Sequence, residues 1–530
     1  MLIRYLIGHG VYMRLNQQIE ALEMFSGFGG TAQGARRAGV NIEVAVDYSK
    51  IACEVYSANF GHANVIHGDL MDQGSDNYVD PLKLPPATIL FASPSCTHHS
   101  PANSRRRYTR GAQLPLFVET ERDGAGEAAQ GKVSEYSRQS MMVPLRYAAK
   151  HKPELVFIEN VAEVVRWGSD QDGSTFLWWW NEWQKLGYRC RILSLNSQFF
   201  PFVPQSRDRI YVVCWKQGNR EPALNFAPSA ICMSDVCSGN VVEAQQVWKS
   251  DLALGRLNYN VGKYGRQYIY VCPCCHKQVH PQTWPASSAI DWTDLGVPIG
   301  ERVEHGLRPL SPATMERIRR ALVKFSVNDD SREIGQMVPD RLSNVTTEKS
   351  PALFIKNNGG TLVSHKVSDP FCTMTTNDTT GLIVGWIEQY MTQAVSVDRP
   401  LATLTTHARH GLVISFMKNS TITNEDIQAV RYRMLKADPE LRKASDFDDD
   451  YVLIGSTKQI KAGLGNAVVP AVASWITSRM LESLEPANPT YVLGEVSRPT
   501  KAIATAALSV CTTRDDSIVK VGKKGAYSCE

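Results

Sequence analysis

A thiol at the end of an apolar run is the first feature of this chain that could do chemistry. Thr88-Ile89-Leu90-Phe91-Ala92 reads as a buried strand, and Ser93-Pro94-Ser95-Cys96-Thr97-His98-His99-Ser100 as the polar turn after it. Loops just past the ends of parallel strands are where α/β enzymes keep reactive groups. The plainer alternative is an inert Cys, since free Cys is among the most buried residue types. His98 and His99, when charged, would favour the thiolate form of Cys96, which is the nucleophilic one.

Other strand ends carry polar groups of the kind such a thiol would need. Phe25-Ser26-Gly27-Phe28-Gly29-Gly30-Thr31 runs from a strand into a helix. Glycines there let the backbone turn tightly against a ligand, and the helix N-terminus offers free N–H groups. The turn suits a nucleotide, a dinucleotide or S-adenosylmethionine, or is a tight turn with no ligand. Asp47 and Asp69 end the next two strands, and an acid at the first of these points characteristically meets ribose hydroxyls. Glycine turn, acid and acid together read as a nucleoside-binding rim. There is no Gly-Lys-Ser/Thr element, which argues against an NTPase. Glu159 ends the strand Leu155–Ile158, a costly place for a carboxylate without a partner or a task. Arg207 and Arg209 precede the strand Ile210–Trp215 at alternate positions, so both are expected to face one anion or carbonyl. A structural ion pair is the alternative reading of either motif.

The elements that position these residues alternate from Ile19 to about Trp215. Strands are expected at Ile19–Met24, Glu43–Val46, Asn64–Ile66, Thr88–Ala92, Leu155–Ile158, Arg191–Leu195 and Ile210–Trp215, with helices between several of them. The pattern predicts an α/β fold, a mostly parallel Rossmann-like sheet with helices on both faces. One long segment, Pro101 to Val133, interrupts it, and Arg105, Arg106, Arg107 and Arg110 there would make a phosphate-contacting arm. From about residue 221 to 424 the alternation gives way to Pro, Gly and Thr. Within that stretch Asp369–Thr376 with Gly381-Leu382 is echoed thirty residues on by Arg399–Thr406 with Gly411-Leu412, which predicts a duplicated strand–turn–strand unit. Helices are expected from near Asn424 through Arg433 and again after Asn466.

Of the 530 residues, 43% are hydrophobic and 21% charged, as in a globular chain rather than a disordered one. A net charge of +4 permits nucleic-acid binding through local patches without arguing for it. Twelve cysteines, several in strand-like runs such as that of Cys214, are read as thiols of a reducing, cytoplasmic compartment rather than a disulfide scaffold. No run approaches the ~18 apolar residues of a membrane span, so no membrane partner is expected.

Taken in order, these motifs closely resemble those of the DNA cytosine-5 methyltransferases. Phe25-Ser26-Gly27-Phe28-Gly29-Gly30 is similar to that family's cofactor loop, Glu159-Asn160-Val161 to its catalytic Glu-Asn-Val, and Gln205-Ser206-Arg207-Asp208-Arg209 to its Gln-x-Arg-x-Arg. Gly465-Asn466-Ala467-Val468-Val469-Pro470 resembles the last motif, which completes the cofactor site. The resemblance implies S-adenosyl-L-methionine bound by Phe25, Ser26, Gly27, Gly29, Gly30, Asp47, Asp69, Asn466 and Val468. It implies catalysis by Cys96, Glu159, Arg207 and Arg209 on a flipped-out cytosine of duplex DNA, with Arg209 holding the base carbonyl and Arg207 buttressing. The nucleophile motif departs from the family's usual Pro-Cys-Gln, because Ser95 separates Pro94 from Cys96 and no Gln follows.

The implied organisation is a catalytic domain at 13–220, a smaller β-rich target-recognition domain at 221–424, a completion of the catalytic domain at 425–485, and a tail at 486–530. Asn377–Thr380 and His407–His410 are the expected base-reading loops. An RNA cytosine-5 methyltransferase and a catalytically silent DNA-binding member of the fold are the competing readings. A monomer is expected, and a cognate restriction endonuclease is the one protein partner the resemblance suggests. Cys272 and Cys275 have the spacing of a zinc knuckle, with His280 close behind. The nearest other pair, Cys232 and Cys237, has the wrong interval, so a degenerate knuckle without metal is the expectation.

Overall fold

The computed structural model describes residues 19–94, 139–168, 172–249, 260–316, 318–319 and 424–484, together with the backbone of the strands between 352 and 417. Seven strands form the main sheet: β1 (Ala21–Met24), β2 (Val44–Asp47), β3 (Asn64–His67), β4 (Ile89–Ala92), β5 (Leu155–Asn160), β6 (Tyr188–Asn196) and β7 (Asp208–Lys216). Their order is β3-β2-β1-β4-β5-β7-β6. The first five run parallel, and β7 is antiparallel to both β5 and β6. This is the mostly parallel α/β sheet that the sequence predicts.

Alternation along the strands sorts side chains into two cores, as expected of a sheet covered on both faces. Ala21, Ile89, Phe91, Leu155, Phe157, Tyr211 and Val213 face one layer. Leu22, Met24, Leu90, Val156, Ile158 and Val212 face the other. Helices α1 (Gly30–Arg37) and α2 (Lys50–Asn59) cover the first face, and α3 (Met142–His151) and α4 (Ser174–Lys185) the second. Trp179 and Trp183 of α4 are wholly buried.

The first face is finished from far along the chain, by α5 (Thr457–Asn466) and α6 (Pro470–Leu484). Close packing of α1 on α6 depends on glycine. A Cβ at Gly34 would lie 2.5 Å from Ala473 Cβ, and one at Gly30 only 2.0 Å from the Val468 carbonyl oxygen.

Several expectations need correction. Arg433 lies in a strand, Arg431–Met434, not in a helix; the helix from Asn424 stops at Ala429. Pairing with Gly411–Ile414 draws that segment into a sheet. Cys190 and Cys214 are not separate thiols but a disulfide, directly opposite each other across β6 and β7. The thirty-residue echo, by contrast, holds: Cys372–Thr375 and Thr380–Val384 are matched by Ala402–Thr405 and Gly411–Ile414, and the copies pair in parallel, Cys372–Thr375 with Ala402–Thr405 and Trp386–Ile387 with Phe416–Met417.

Between the sheet and the echo lie two small antiparallel units. One is the hairpin of β8 (Ser229–Cys232) and β9 (Asn240–Glu243). The other joins β10 (Gln245–Trp248), β11 (Tyr268–Val271) and β12 (Gln278–Val279). Among the described residues, no helix is long and apolar enough to cross a membrane.

Candidate active site at the strand ends

The glycine turn begins at the end of β1 and is strained where a ligand would approach. Phe25 has φ 57°, a left-handed value that is uncommon for a residue with a side chain. Gly27 follows at φ 52° with no atom within 4 Å of where a Cβ would stand, so its outer side is open. Asp47, at the end of β2, braces this turn. Its Oδ2 accepts from the Gly27 N–H at 2.8 Å and its Oδ1 from the Ser49 N–H at 2.8 Å. Burial raises the Asp47 pKa, and those two backbone donors oppose the rise. A carboxylate has about four lone-pair sites, so acceptor capacity remains for a hydroxyl. Asp69 folds its own loop, with Oδ1 accepting from Met71 N–H at 2.7 Å and Asp72 N–H at 3.1 Å.

Two features of this rim go beyond the motif residues. Tyr48, next to Asp47, is 71% exposed, an unusual position for an aromatic ring beside a buried acid and one suited to stacking on a planar group. Ser26 Oγ is buried without a hydrogen-bond partner, and such groups ordinarily have one. An open glycine, a braced acid, an exposed ring and an unsatisfied hydroxyl together suit a nucleoside. On the far side the turn is shut by the returning segment: the Tyr451 hydroxyl donates to the Phe28 carbonyl, and Val468 is buried against Gly30. Asn466, by contrast, is exposed.

Glu159 and Arg209 meet at the ends of β5 and β7, two and three strands along the sheet from β1. β5 extends through Asn160, so Glu159 lies within the last turn of the ladder, paired in register with Tyr211. Arg209 Nε lies 3.0 Å from Glu159 Oε1, both side chains nearly buried, although the N–H is not aligned for a hydrogen bond. Arg207 does not join them. The expectation that both arginines face one group assumed that both sit in a strand, but β7 starts at Asp208. Arg207 instead donates through Nη1 to the Gly465 carbonyl at 2.6 Å and through Nη2 to that of Asn466 at 3.4 Å. It thereby caps the C-terminus of α5, where a cation suits the free carbonyls.

Cys96 lies outside the described residues, as do Arg105–Arg107, Arg110 and the loops Asn377–Thr379 and His407–His410. The strand end leading to Cys96 is described as far as Pro94, and Asn160 holds it. Asn160 Nδ2 donates to the Pro94 carbonyl at 3.2 Å, while its Oδ1 accepts from the Val161 N–H at 2.8 Å. The sequence places Asn160 within the Glu-Asn-Val motif but assigns it no role of its own. The available signal was a second polar residue at a buried strand end, directly after Glu159.

Glu23 was passed over. It is buried in β1, accepts from the Tyr56 hydroxyl at 2.9 Å, and burial pushes its pKa up to about 8. Asp208, beside Arg209, is pushed up to about 6 by burial and accepts from the Tyr264 N–H at 3.0 Å.

The sequence profile of the C-5 cytosine-specific DNA methylase family matches residues 19–123 and 129–250. That match takes in β1 to β7 with the polar groups at their ends, somewhat under half of the chain. Among characterised relatives, type II methyltransferase M.Bsp6I of Bacillus sp. (strain RFL6) is 26% identical over 209 residues, 39% of this chain and 56% of that protein. M.HhaI of Haemophilus parahaemolyticus is 24% identical over 196 residues, 37% of this chain and 48% of that protein. The match thus spans about half the length of these relatives. S. pombe Dnmt2 methyltransferase superimposes with a TM-score of 0.39 at 13% identity, covering 88% of this chain and all of that one.

Proposed function

We propose that this protein methylates carbon 5 of cytosine in duplex DNA at a short recognition sequence, with S-adenosyl-L-methionine as donor. The observation that carries this reading is the Asn160–Pro94 contact. It ties the Glu159–Arg209 pair to the strand end from which Cys96 follows two residues later.

In this reading the Gly27 side of the turn, Ser26, Asp47 and the Tyr48 ring hold the nucleoside part of the donor. When bound, the donor supplies an electrophilic methyl group. Carbon 5 is a poor nucleophile, so the Cys96 thiolate adds to carbon 6 and its electron pair passes into the ring toward carbon 5. Glu159 hydrogen-bonds or protonates ring nitrogen 3, stabilising the charge that this addition creates. Arg209 faces the carbonyl oxygen and holds Glu159 in place. After methyl transfer a base takes the proton from carbon 5, and the carbon–sulfur bond breaks to return the Cys96 thiolate. Arg207 is a positioning residue that locks α5 and the Gly465–Val468 segment against the rim. The target base leaves the helix stack first, at a cost of a few kcal/mol.

The test is base-resolution bisulfite sequencing of a plasmid from a methylation-free host expressing the protein, beside a Cys96→Ala control. Conversion resistance at one short motif, lost in the control, is the expected result. Uniform conversion with a folded, donor-binding protein would refute duplex DNA as substrate and turn attention to RNA or to silent DNA binding. A cognate restriction endonuclease would be expected to cleave the same motif.

A further inference from the structure

The two small hairpins meet through sulfur. Cys232 and Cys237 lie on the turn side of β8 and β9, and Cys272 and Cys275 on the turn between β11 and β12. All four Sγ atoms lie within 4.8 Å of one another. Cys232 Sγ is 3.5 Å from Cys275 Sγ, and Cys237 Sγ is 3.7 Å from Cys272 Sγ. These separations are far too long for disulfides, whose sulfurs stand ~2.05 Å apart. They are close to the ~3.8 Å edge of a tetrahedron of thiolates each ~2.3 Å from a central zinc.

The surrounding groups suit a negatively charged thiolate cluster. The Ser234 hydroxyl lies 3.2 Å from both Cys232 Sγ and Cys275 Sγ. Backbone N–H groups of Cys274 and Cys275 reach the Cys272 sulfur, and that of Lys277 reaches Cys275. Such donors to the sulfurs are the outer hydrogen bonds that orient metal ligands. His276 takes a left-handed φ of 55° just after Cys275, and Ser238 and Gly239 do the same just after Cys237. Both turns therefore curl back so that each presents its two sulfurs to one point. His280 is not part of the group; its Nδ1 lies 3.4 Å from the Tyr264 hydroxyl.

Packing alone accounts poorly for the β8–β9 hairpin. Its fully buried residues are small, Ala230, Cys232, Cys237 and Ala244, with Val242 half-buried beside them, whereas Ile231, Met233, Val236 and Val241 are exposed. The hairpin therefore leans on Phe199, Tyr268 and Tyr270 of its neighbours, and a metal held by the four sulfurs would tie it to them directly.

We propose that Cys232, Cys237, Cys272 and Cys275 form a structural zinc site that clamps the two hairpins together. Each thiol gives its proton to solvent as its sulfur binds Zn²⁺, with no change of oxidation state. A closed set of four thiolates leaves no open position for catalysis. The site lies outside the strand-end cluster and shares no residue with it.

The experiment is metal analysis of the full chain purified under reducing conditions without chelator, by mass spectrometry, for wild type, Cys272→Ser and Cys274→Ser. About one zinc per chain is expected in wild type and in Cys274→Ser, with at least a tenfold loss in Cys272→Ser. Because Cys272→Ser could fail to fold, wild type is also produced in cobalt-supplemented medium. There the absorption bands of tetrahedral, thiolate-bound Co²⁺ are expected. Wild type with neither zinc nor that cobalt spectrum overturns the proposal. So does iron in place of zinc, full zinc retention by Cys272→Ser, or zinc loss in Cys274→Ser.

Discussion

The seven-stranded sheet and the cysteine hairpins pack their strands by different means. In the sheet, β1, β4 and β5 are buried on both faces, and apolar layers with wholly buried tryptophans fix their ends. Reactive polar groups can then be placed at those ends and kept there by single contacts such as Asn160 to Pro94. The β8–β9 hairpin contributes little apolar matter of its own, and four sulfurs stand where it meets the β11–β12 turn. A packed region can carry chemistry on its rim, whereas a sparsely packed one commits its reactive side chains to staying folded.

Changes on the sheet side are expected to show this most clearly. The largest effect should come from Glu159→Gln, which keeps shape and removes the charge facing Arg209. Single-turnover methyl transfer should fall by about 10²–10⁴-fold with DNA and donor binding retained. A loss under about tenfold would take Glu159 out of the chemistry. Next is Gly30→Ala, whose Cβ would meet the Val468 carbonyl at 2.0 Å. Urea denaturation should show a loss of about 3 kcal/mol, unchanged by a zinc chelator if packing alone holds this region. A loss that appears only with chelator would break the comparison.

Glu23 gives a pH-dependent effect. With its folded pKa raised to about 8, the folded state holds this proton more tightly than the unfolded chain does. Stability from this group is therefore full below the ordinary carboxylate value and is lost as pH climbs toward 8. Glu23→Gln should remove that loss, so its melting temperature relative to wild type should rise between about pH 5 and pH 8. A flat difference would show that Glu23 does not titrate in this window. The smallest effect is expected of Lys436→Met, which cuts the 2.7 Å pair with Asp291. Both partners are partly exposed, so the cost should be about 0.2–1 kcal/mol and should shrink with added salt.

The same contrast governs what the sequence made legible. Strand ends of the sheet could be found because apolar runs stop abruptly at Met24, Ala92 and Ile158, and the polar residues that follow are few. Arg207 and Arg209 were grouped by a period-of-two rule that holds only inside a strand, and Arg207 falls one residue before β7. Arg433 looked helical because its neighbours have helical spacing; pairing with strands from a distant segment overrides that local preference. The sulfur cluster was hidden by its arithmetic. Five residues from Cys232 to Cys237 do not match a knuckle, and 35 more separate Cys237 from Cys272. Only the meeting of two hairpins brings the pairs together.

Arg207 reaches the Gly465 carbonyl across 258 residues of chain, and that span orders events during synthesis. As the chain leaves the ribosome, β1 to β7 emerge well before the segment that shuts the glycine turn. Contacts so distant in sequence form late, because loop closure must precede them. The nascent chain therefore carries an open, incomplete rim until α5 and α6 have been translated. A message broken anywhere in the intervening stretch yields a chain that cannot complete the turn, so a closed rim reports that translation has passed α6.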